Sequence, residues 1–293
     1  MPGNSRGQML VAAALILGLF VMGLLVAAYQ THALFLQARS VIPREIAGAI
    51  TADFNRALAT MLALATRSYY NHSRFSDFTS RFEEYGLTPR DLESAKAVAY
   101  RYLNEWTKVQ KIVYAEYGVQ VSWQLCASPL PRNPQVYAYD LVFLYWNRTL
   151  DYGISYGASY ACAQLQLNIT NIGFYHWTSN SFIGLTLIID DAQKEQIKIT
   201  VLIDNGTYYG LLLVKGWVEV YLLTGDMWKK AQIKDVTYEG LGRYTLTIAV
   251  SNDSQKNARE VLVVVSDDRG ILVLARKEIP DESGQPGRER GRG

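Results

Sequence analysis

The segment Met9–Ala28, MLVAAALILGLFVMGLLVAA, decides how the N-terminal part of the chain is interpreted. It holds twenty residues without a charge, and eleven of them are Leu, Ile, Val or Phe. A helix of this length is roughly 30 Å long, which is about the thickness of the hydrocarbon core of a bilayer. The segment predicts a transmembrane helix over residues 8–30, and hence a single-pass protein with the membrane as a partner.

Two other interpretations of the apolar segment are less favourable. A buried helix of a globular domain is normally shorter and carries some polar face. A secretory signal peptide has an apolar core of roughly 7–15 residues followed by a cleavage site of small residues. Here the apolar core is longer, and Tyr29-Gln30-Thr31-His32 follows it. We therefore expect the helix to be retained in the mature protein.

The residues before the apolar segment read Ser5-Arg6-Gly7-Gln8-Met9-Leu10. A basic residue, a glycine and an uncharged polar residue that open a long apolar helix resemble the class III signal peptide of archaeal type IV pilins and archaellins. The resemblance implies a leader over residues 1–7, which a prepilin peptidase would cut between Gly7 and Gln8. It also implies a helix that joins a filament core. Ala12 stands where bacterial pilins place a glutamate, which archaeal members often lack.

Potential N-glycosylation sites favour an extracellular body. The Asn-x-Ser/Thr pattern occurs more often than the composition predicts by chance, and four of the five sites lie in the second half of the chain. The acceptors are Asn71, Asn147, Asn168, Asn205 and Asn252.

The two cysteines, Cys126 and Cys162, each extend a stretch in which apolar and polar residues alternate. In both stretches the cysteine falls on the same side as the glutamines. Two cysteines on the same kind of face can bridge neighbouring strands, so a disulfide is predicted. Two unbridged thiols are the alternative, and no Cys-x-x-Cys or histidine cluster suggests a metal site.

Helical periodicity follows the apolar segment. Apolar residues recur every three to four positions from Ile46 to Ala65, and Thr88-Pro89 begins a second helix that runs to about Tyr117. Pro43 is expected to kink or restart the first of these helices. The pattern predicts a helical hairpin that forms a stalk over residues 31–117.

From Val119 onward the period changes to two, which is typical of β-strands. Turn sequences such as Asp204-Asn205-Gly206 separate the alternating runs. Many short strands with regular turns predict a β-sandwich over residues 118–280. Gly242-Arg243-Tyr244 resembles the tyrosine-bearing penultimate strand of immunoglobulin-like domains. A tail over residues 281–293, rich in Gly, Pro, Glu and Arg, is expected to be disordered.

The predicted fold class is thus α+β. It combines an N-terminal transmembrane helix, a helical hairpin stalk and a C-terminal antiparallel β-sandwich of immunoglobulin-like type.

One motif suggests catalysis. Gly153-Ile154-Ser155-Tyr156-Gly157 fits the Gly-x-Ser-x-Gly nucleophile elbow. The elbow needs a helix directly after the serine, whereas another alternating strand is predicted here. His176 is the only downstream histidine that could complete a triad. We therefore expect no catalytic residue and no enzyme activity.

Other functional classes receive little support from the composition. The net charge of +2 does not favour a nucleic-acid partner. The acidic pairs Asp190-Asp191 and Asp267-Asp268 are too few to predict a calcium site. No phosphate-binding loop or dinucleotide fingerprint is present, so no metal and no cofactor are expected.

The expected function is that of a membrane-anchored extracellular surface protein, a pilin-like subunit that acts in filament structure or adhesion and forms homo-oligomers. The alternative is a single-pass anchored binding protein that recognises a ligand or a partner protein through its β-domain. A membrane-tethered hydrolase that uses Ser155 is a third hypothesis.

Overall fold

The computed structural model describes most of the chain. Its described residues are 5–70, 89–126, 128–130, 133–138, 140–147, 155–193, 195–204, 207–208, 215–225, 227–249 and 258–280. The predicted leader start, the predicted tail over 281–293 and the acceptors Asn71, Asn205 and Asn252 lie outside these residues.

The first helix, α1 (Ser5–Tyr70), is continuous for 66 residues and includes Pro43. Among the described residues, no helix is both long enough and apolar enough to cross a membrane. This finding overturns the predicted transmembrane helix over 8–30 and the predicted single-pass localisation in the cell membrane. The prediction weighed a window of twenty residues by itself. In the structure, that window belongs to a much longer helix whose second half forms part of the domain core.

The second half of α1 is amphipathic and buries one face completely. The fully buried residues recur at helical spacing: Ala47, Ile50, Phe54, Leu58, Met61, Leu62 and Ala65. The second helix, α2 (Pro89–Val113), packs beside this part of α1. Asp53 joins the two helices, because its Oδ2 accepts hydrogen bonds from Trp106 Nε1 at 2.9 Å and from Gln110 Nε2 at 2.8 Å.

The remainder of the described chain consists mainly of antiparallel strands with three short 3-10 turns. The strands are β1 (Val119–Leu125), β2 (Ser128–Leu130), β3 (Asn133–Ala138), β4 (Val142–Asn147), β5 (Ser155–Ile169), β6 (Phe174–Ala192), β7 (Gln196–Ile203), β8 (Thr207–Tyr208), β9 (Val218–Thr224), β10 (Met227–Gly240), β11 (Arg243–Ala249), β12 (Ala258–Ser266) and β13 (Leu272–Glu278).

Eleven of these strands form one connected sheet in the order β1-β5-β6-β7-β11-β10-β9-β12-β13, with β4 beside β5 and β8 beside β7. Strand β10 connects the two parts of the sheet. Its residues 227–231 pair with β9, whereas its residues 232–240 pair with β11. The sheet is therefore continuous through β10.

The sheet folds back so that β13 packs on β5. Ser159 Oγ of β5 donates a hydrogen bond to the carbonyl oxygen of Leu272 at 2.7 Å. A Cβ atom on Gly157 would lie 1.8 Å from the carbonyl oxygen of Leu274, so only glycine permits this approach. Helix α1 reaches the same place, since Thr66 Oγ1 accepts the Leu272 N–H at 3.2 Å.

The predicted fold class is wrong in three respects. The described chain is mostly antiparallel β-sheet and has no membrane-spanning helix. The helices α1 and α2 do not form a separate stalk, because α1 from Ala47 onward and α2 pack against the sheet and share its core. The strands do not form an immunoglobulin-like sandwich, because β10 contributes to both parts of one sheet. Tyr244 is a buried residue of β11 next to Tyr238, with 5.0 Å between the ring centroids.

An ion-pair network holds the β12–β13 turn against β6 and the end of β7. Arg269 donates to Asp267 Oδ2 at 2.7 Å, to Asp204 Oδ1 at 2.8 Å and to the carbonyl oxygen of Gly184 at 3.0 Å. Burial raises the pKa of the Asp267 carboxyl above its usual range, although Arg269 acts in the opposite direction. These contacts fix the position of the turn.

Candidate functional site

The first candidate surface is residues 17–31 of α1, which we call the apolar segment. Every residue of this segment is exposed. Nine large apolar side chains are between 48 % and 75 % accessible: Leu17, Leu19, Phe20, Val21, Met22, Leu24, Leu25, Val26 and Tyr29. In the same helix, side chains of the same types are fully buried from Ile50 to Leu62. The same types of apolar side chain are therefore exposed in the apolar segment and buried in the second half of α1.

The exposed side chains point in all directions around the helix axis. Successive residues of an α-helix are rotated by about 100°, so the four consecutive residues Leu19–Met22 cover the whole circumference. Glycines add two positions where another chain can approach closely. Apart from its two chain neighbours and the adjacent backbone of its own helix, a Cβ atom on Gly18 or Gly23 would have no atom within 4 Å. A helix that is apolar on all sides is normally surrounded by other apolar groups.

The second candidate surface lies on β1, β5 and β6, on the side opposite to α1, and we call it the amide face. On β1 and β5 its side chains alternate mainly with buried residues, and on β6 they alternate with residues that face α1, such as Trp177. None of its side chains is Asp, Glu, Lys or Arg. The pairing register arranges them in rows across the strands. The amide face consists of Gln120, Ser122, Gln124, Gln164, Gln166, Asn168, His176, Thr178 and Asn180.

Hydrogen bonds connect the amide side chains along the rows. Gln124 Nε2 donates to Gln164 Oε1, and Gln164 Nε2 donates to Asn180 Oδ1 at 2.8 Å. In the neighbouring row, Ser122 Oγ donates a hydrogen bond to Gln166 Oε1 at 3.4 Å. Each bond uses one N–H or O–H, and a primary amide has two N–H donors and an oxygen with two lone pairs. The rows therefore keep donors and acceptors for a ligand.

A β-bulge ends the amide face at the β5–β6 hairpin. The register passes from Leu167–Trp177 to Ile169–Phe174, so Tyr175 and His176 together lie opposite Asn168. His176 has a φ of +60°, which L-residues other than Asn, Asp and His rarely adopt. Its N–H donates to Asn168 Oδ1 at 2.8 Å, which holds the bulge in place. Bulges of this kind redirect side chains and are frequent beside functional sites.

A disulfide closes the other end of the amide face. Cys126 and Cys162 are bonded, with 5.7 Å between their Cα atoms, one position beyond the last paired residues of β1 and β5. The bond fixes the edge strand β1 to β5. Disulfides of this kind form in oxidising compartments.

The remaining predicted site residues are not brought together. Gly7 and Gln8 lie within the first turns of α1. Asn147 is the last residue of β4 and pairs with Tyr156, whereas Asn168 lies in β5 within the amide face. Nothing in the structure tests cleavage or glycosylation at these positions, which stay predictions.

Ser155 is not positioned as a nucleophile. It begins β5, has no exposed surface, and is followed by fourteen further strand residues, where the elbow requires a helix. His176 lies near the other end of β5, at the level of Asn168, which is on the order of 40 Å away along the strand. Within the Gly-x-Ser-x-Gly motif, Gly157 has a structural role, because it permits the close contact between β5 and β13.

The acidic pairs have structural partners. Asp190 Oδ2 accepts a hydrogen bond from Thr200 Oγ1 at 2.6 Å. Asp267 Oδ1 accepts the N–H of Ile271 at 2.9 Å, and its other oxygen binds Arg269. In the described part of the chain, no group of three or more His, Cys, Asp and Glu side chains is arranged to hold a metal ion.

Sequence reasoning missed the amide face as a site. The glutamines served only to place the cysteines on one side of their strands. The signal was present in the alternation of Gln120-Val121-Ser122 and of Gln164-Leu165-Gln166. The rows, however, depend on the register of β1 with β5, which the alternation does not specify.

Comparison of the chain with protein-family models, with curated proteins and with solved structures finds no match. The resemblance to archaeal pilins therefore gains no support from relatives.

Proposed function

We propose that this protein is a self-assembling subunit that displays its β-rich domain from a core of packed N-terminal helices. The apolar segment of each copy packs against the apolar segments of other copies. The observation that carries this proposal is the exposure of nine large apolar side chains on all sides of one helix.

The size of the apolar segment supports assembly. Fully burying an aromatic side chain removes about 150–250 Å² from water, and fully burying an aliphatic one removes about 60–120 Å². Two aromatic and seven aliphatic side chains at half to three-quarters exposure therefore leave on the order of 600 Å² accessible. Single exposed patches on monomeric proteins reach about 300–600 Å². A stable protein interface buries about 800 Å² on each partner. The apolar segment is therefore as large as the largest apolar patches of monomers and approaches the size of one side of a stable interface.

The direction of the side chains favours more than two copies. A second helix covers only one face of the first. Leu19 and Phe20 point in directions about 100° apart, and Val21 and Met22 complete the circle. Covering all of them requires several neighbouring helices. The absence of charge between Met9 and Ala28 permits identical segments to lie side by side without repulsion.

The second half of α1 supports the display of the domain. It is fixed to α2 through Asp53 and to β6 through Asn55, whose Oδ1 accepts a hydrogen bond from Ser181 Oγ. The two halves belong to one helix, so each assembled helix carries its own β-rich domain. This arrangement suits a protein that acts in filament structure or adhesion.

A binding protein that acts as a single copy is the second candidate function. The amide face supports it, because this surface needs no second copy to be complete. The two candidates differ in the behaviour of the purified chain in solution.

The test is sedimentation velocity of the full chain and of two variants over a range of concentrations. Phe20→Glu places a charge in the middle of the apolar segment. Ile112→Glu is the matched control, because Ile112 is 75 % exposed on α2 and lies outside the segment. We expect discrete assemblies for the parent chain and for I112E, and a single-copy species for F20E.

Two results would contradict the proposal. One is a parent chain that sediments as single copies at all concentrations, which would leave the binding protein as the better account. The other is an equal loss of assembly in F20E and I112E, which would indicate association that does not depend on the apolar segment.

A further inference from the structure

We propose that the amide face binds an uncharged polysaccharide. This inference goes beyond assembly and does not depend on it, since the amide face lies in the β-rich domain and the apolar segment lies in α1.

The chemistry of the face matches a hydroxyl-rich ligand. A sugar hydroxyl both donates and accepts a hydrogen bond, and a primary amide also does both. Gln124, Gln164 and Asn180 form one hydrogen-bonded row, and Ser122 and Gln166 belong to the next. Each side chain in these rows is held by its neighbour and still presents hydrogen-bonding groups to solvent. The rows therefore offer donors and acceptors together along the surface.

The absence of charged side chains from the amide face disfavours charged ligands. No Asp, Glu, Lys or Arg occupies the nine positions. A phosphorylated or acidic ligand is normally held by Arg or Lys, and a basic ligand by carboxylates. Neither kind of counter-ion is available within the face, so an uncharged ligand is favoured.

The amide face also differs from a protein-binding surface. Interface centres are enriched in aromatic residues, Met and Arg, which supply most of the binding energy. The outward side chains of β1 and of residues Gln164–Asn168 are amides and one hydroxyl instead. The exposed ring of Tyr175, 54 % accessible, stands at the edge of the face in the bulge. A ring in this position provides an apolar surface for the C–H groups of a sugar.

The shape of the site points to a polymer. The outward side chains of three adjacent strands form an open surface, with strands about 4.8 Å apart and rows about 7 Å apart. Small ligands are usually held in concave sites that bury most of their surface. An open surface can gain affinity by making many weak contacts along a polymeric ligand. The disulfide at one end and the bulge at the other hold the strands in place, which lowers the entropy lost on binding.

The experiment is affinity electrophoresis of the full chain in native gels that contain dextran, laminarin or mannan. The protein is produced in a host without N-glycosylation, so that Asn168 carries no glycan. The test variant is Gln164→Ala/Gln166→Ala. The control is Gln196→Ala, which removes an exposed amide from β7, outside the face. All measurements are repeated in the Phe20→Glu background, so that a failure of assembly and a failure of binding are separate results.

We expect at least one of the three polysaccharides to retard the parent chain and Q196A. The dissociation constant of Q164A/Q166A should rise at least tenfold, while its thermal unfolding midpoint stays that of Q196A. Equal retardation of the double variant, or no retardation of any variant, would overturn the proposal. Loss of self-association in the double variant without polysaccharide binding would assign the face to contacts between copies and would also overturn it.

Discussion

The two halves of α1 place the same types of apolar side chain in opposite environments. Phe54 and Leu58, in the second half, have no exposed surface, whereas Phe20 and Leu24, in the first half, are 64 % and 57 % exposed. The second half is amphipathic and needs only the sheet and α2 to cover its apolar face. The apolar segment is apolar on every side, so no single layer of this domain could cover it. The comparison teaches that the pattern of apolar residues around a helix indicates how many neighbours it needs.

The largest expected difference between the halves comes from truncating one phenylalanine in each. Phe54→Ala leaves a cavity beside Trp106 and should lower the free energy of unfolding by about 3–5 kcal/mol. Phe20→Ala should change it by less than about 0.5 kcal/mol, because the side chain has no buried contacts in a single copy. Urea unfolding followed by tryptophan fluorescence, at a concentration where single copies prevail, measures both. Equal losses would show that the two halves are not distinct.

The next largest loss of stability is expected from removing Asp53 of α1, which accepts two hydrogen bonds from α2. Asp53→Ala removes the acceptor of Trp106 Nε1 and of the buried Gln110 Nε2, and should destabilise the domain by about 2–3 kcal/mol. Glu105→Ala removes an exposed carboxylate that pairs with Lys108 on its own helix and should be nearly neutral. The same unfolding assay compares them. A cost for D53A as small as that for E105A would mean that Asp53 does not fix α2.

A smaller effect is expected from a threonine in each half. Thr66 is fully buried and accepts the Leu272 N–H, so Thr66→Val leaves that donor unpaired and should cost about 1–2 kcal/mol. Thr31 is exposed, and its hydroxyl donates to the carbonyl oxygen of Ala27 in its own helix, so Thr31→Val should be nearly neutral. Thermal unfolding followed by circular dichroism distinguishes the two. A neutral T66V would remove the proposed link between α1 and β13.

The smallest effect is expected from replacing one glycine in each half of α1 by alanine. Apart from the adjacent backbone of its own helix, a Cβ atom on Gly48 or on Gly23 would have no atom within 4 Å. Gly48→Ala should stabilise the domain by about 0.5–1 kcal/mol through helix propensity alone. Gly23→Ala should weaken assembly, because the added methyl group holds neighbouring helices apart. Sedimentation velocity of both variants is the measurement, and a G23A chain that assembles as well as G48A would place Gly23 outside the interface.

Part of the fold could be predicted from local patterns. The recurrence of Ile50, Phe54, Leu58 and Met61 at helical spacing predicted which face of α1 is buried, and the change to alternation at Val119 predicted where the strands begin. These predictions succeeded because burial of one face repeats within a few residues. Such a pattern needs no knowledge of distant partners.

The incorrect predictions concern features that depend on contacts between residues far apart in the sequence. The window Met9–Ala28 could not show that the same helix continues to Tyr70, so a membrane span was predicted where the structure has none. The sequence could not show that residues 227–231 and 232–240 of one strand pair with different neighbours, and an immunoglobulin-like β-sandwich was predicted instead. The bulge at His176 also escaped prediction, because it arises from the register of β5 with β6 and not from a glycine in the sequence.

Site-directed cross-linking is the most direct test of whether the apolar segments of different copies pack against one another. The two native cysteines are joined in a disulfide, so a cysteine introduced elsewhere provides a single free thiol. We expect Gly18→Cys and Gly23→Cys, oxidised under mild conditions, to form disulfide-linked dimers on non-reducing gels much faster than the exposed control Ile112→Cys. Cross-linking of G18C and G23C no faster than that of I112C would contradict the packing of apolar segments between copies.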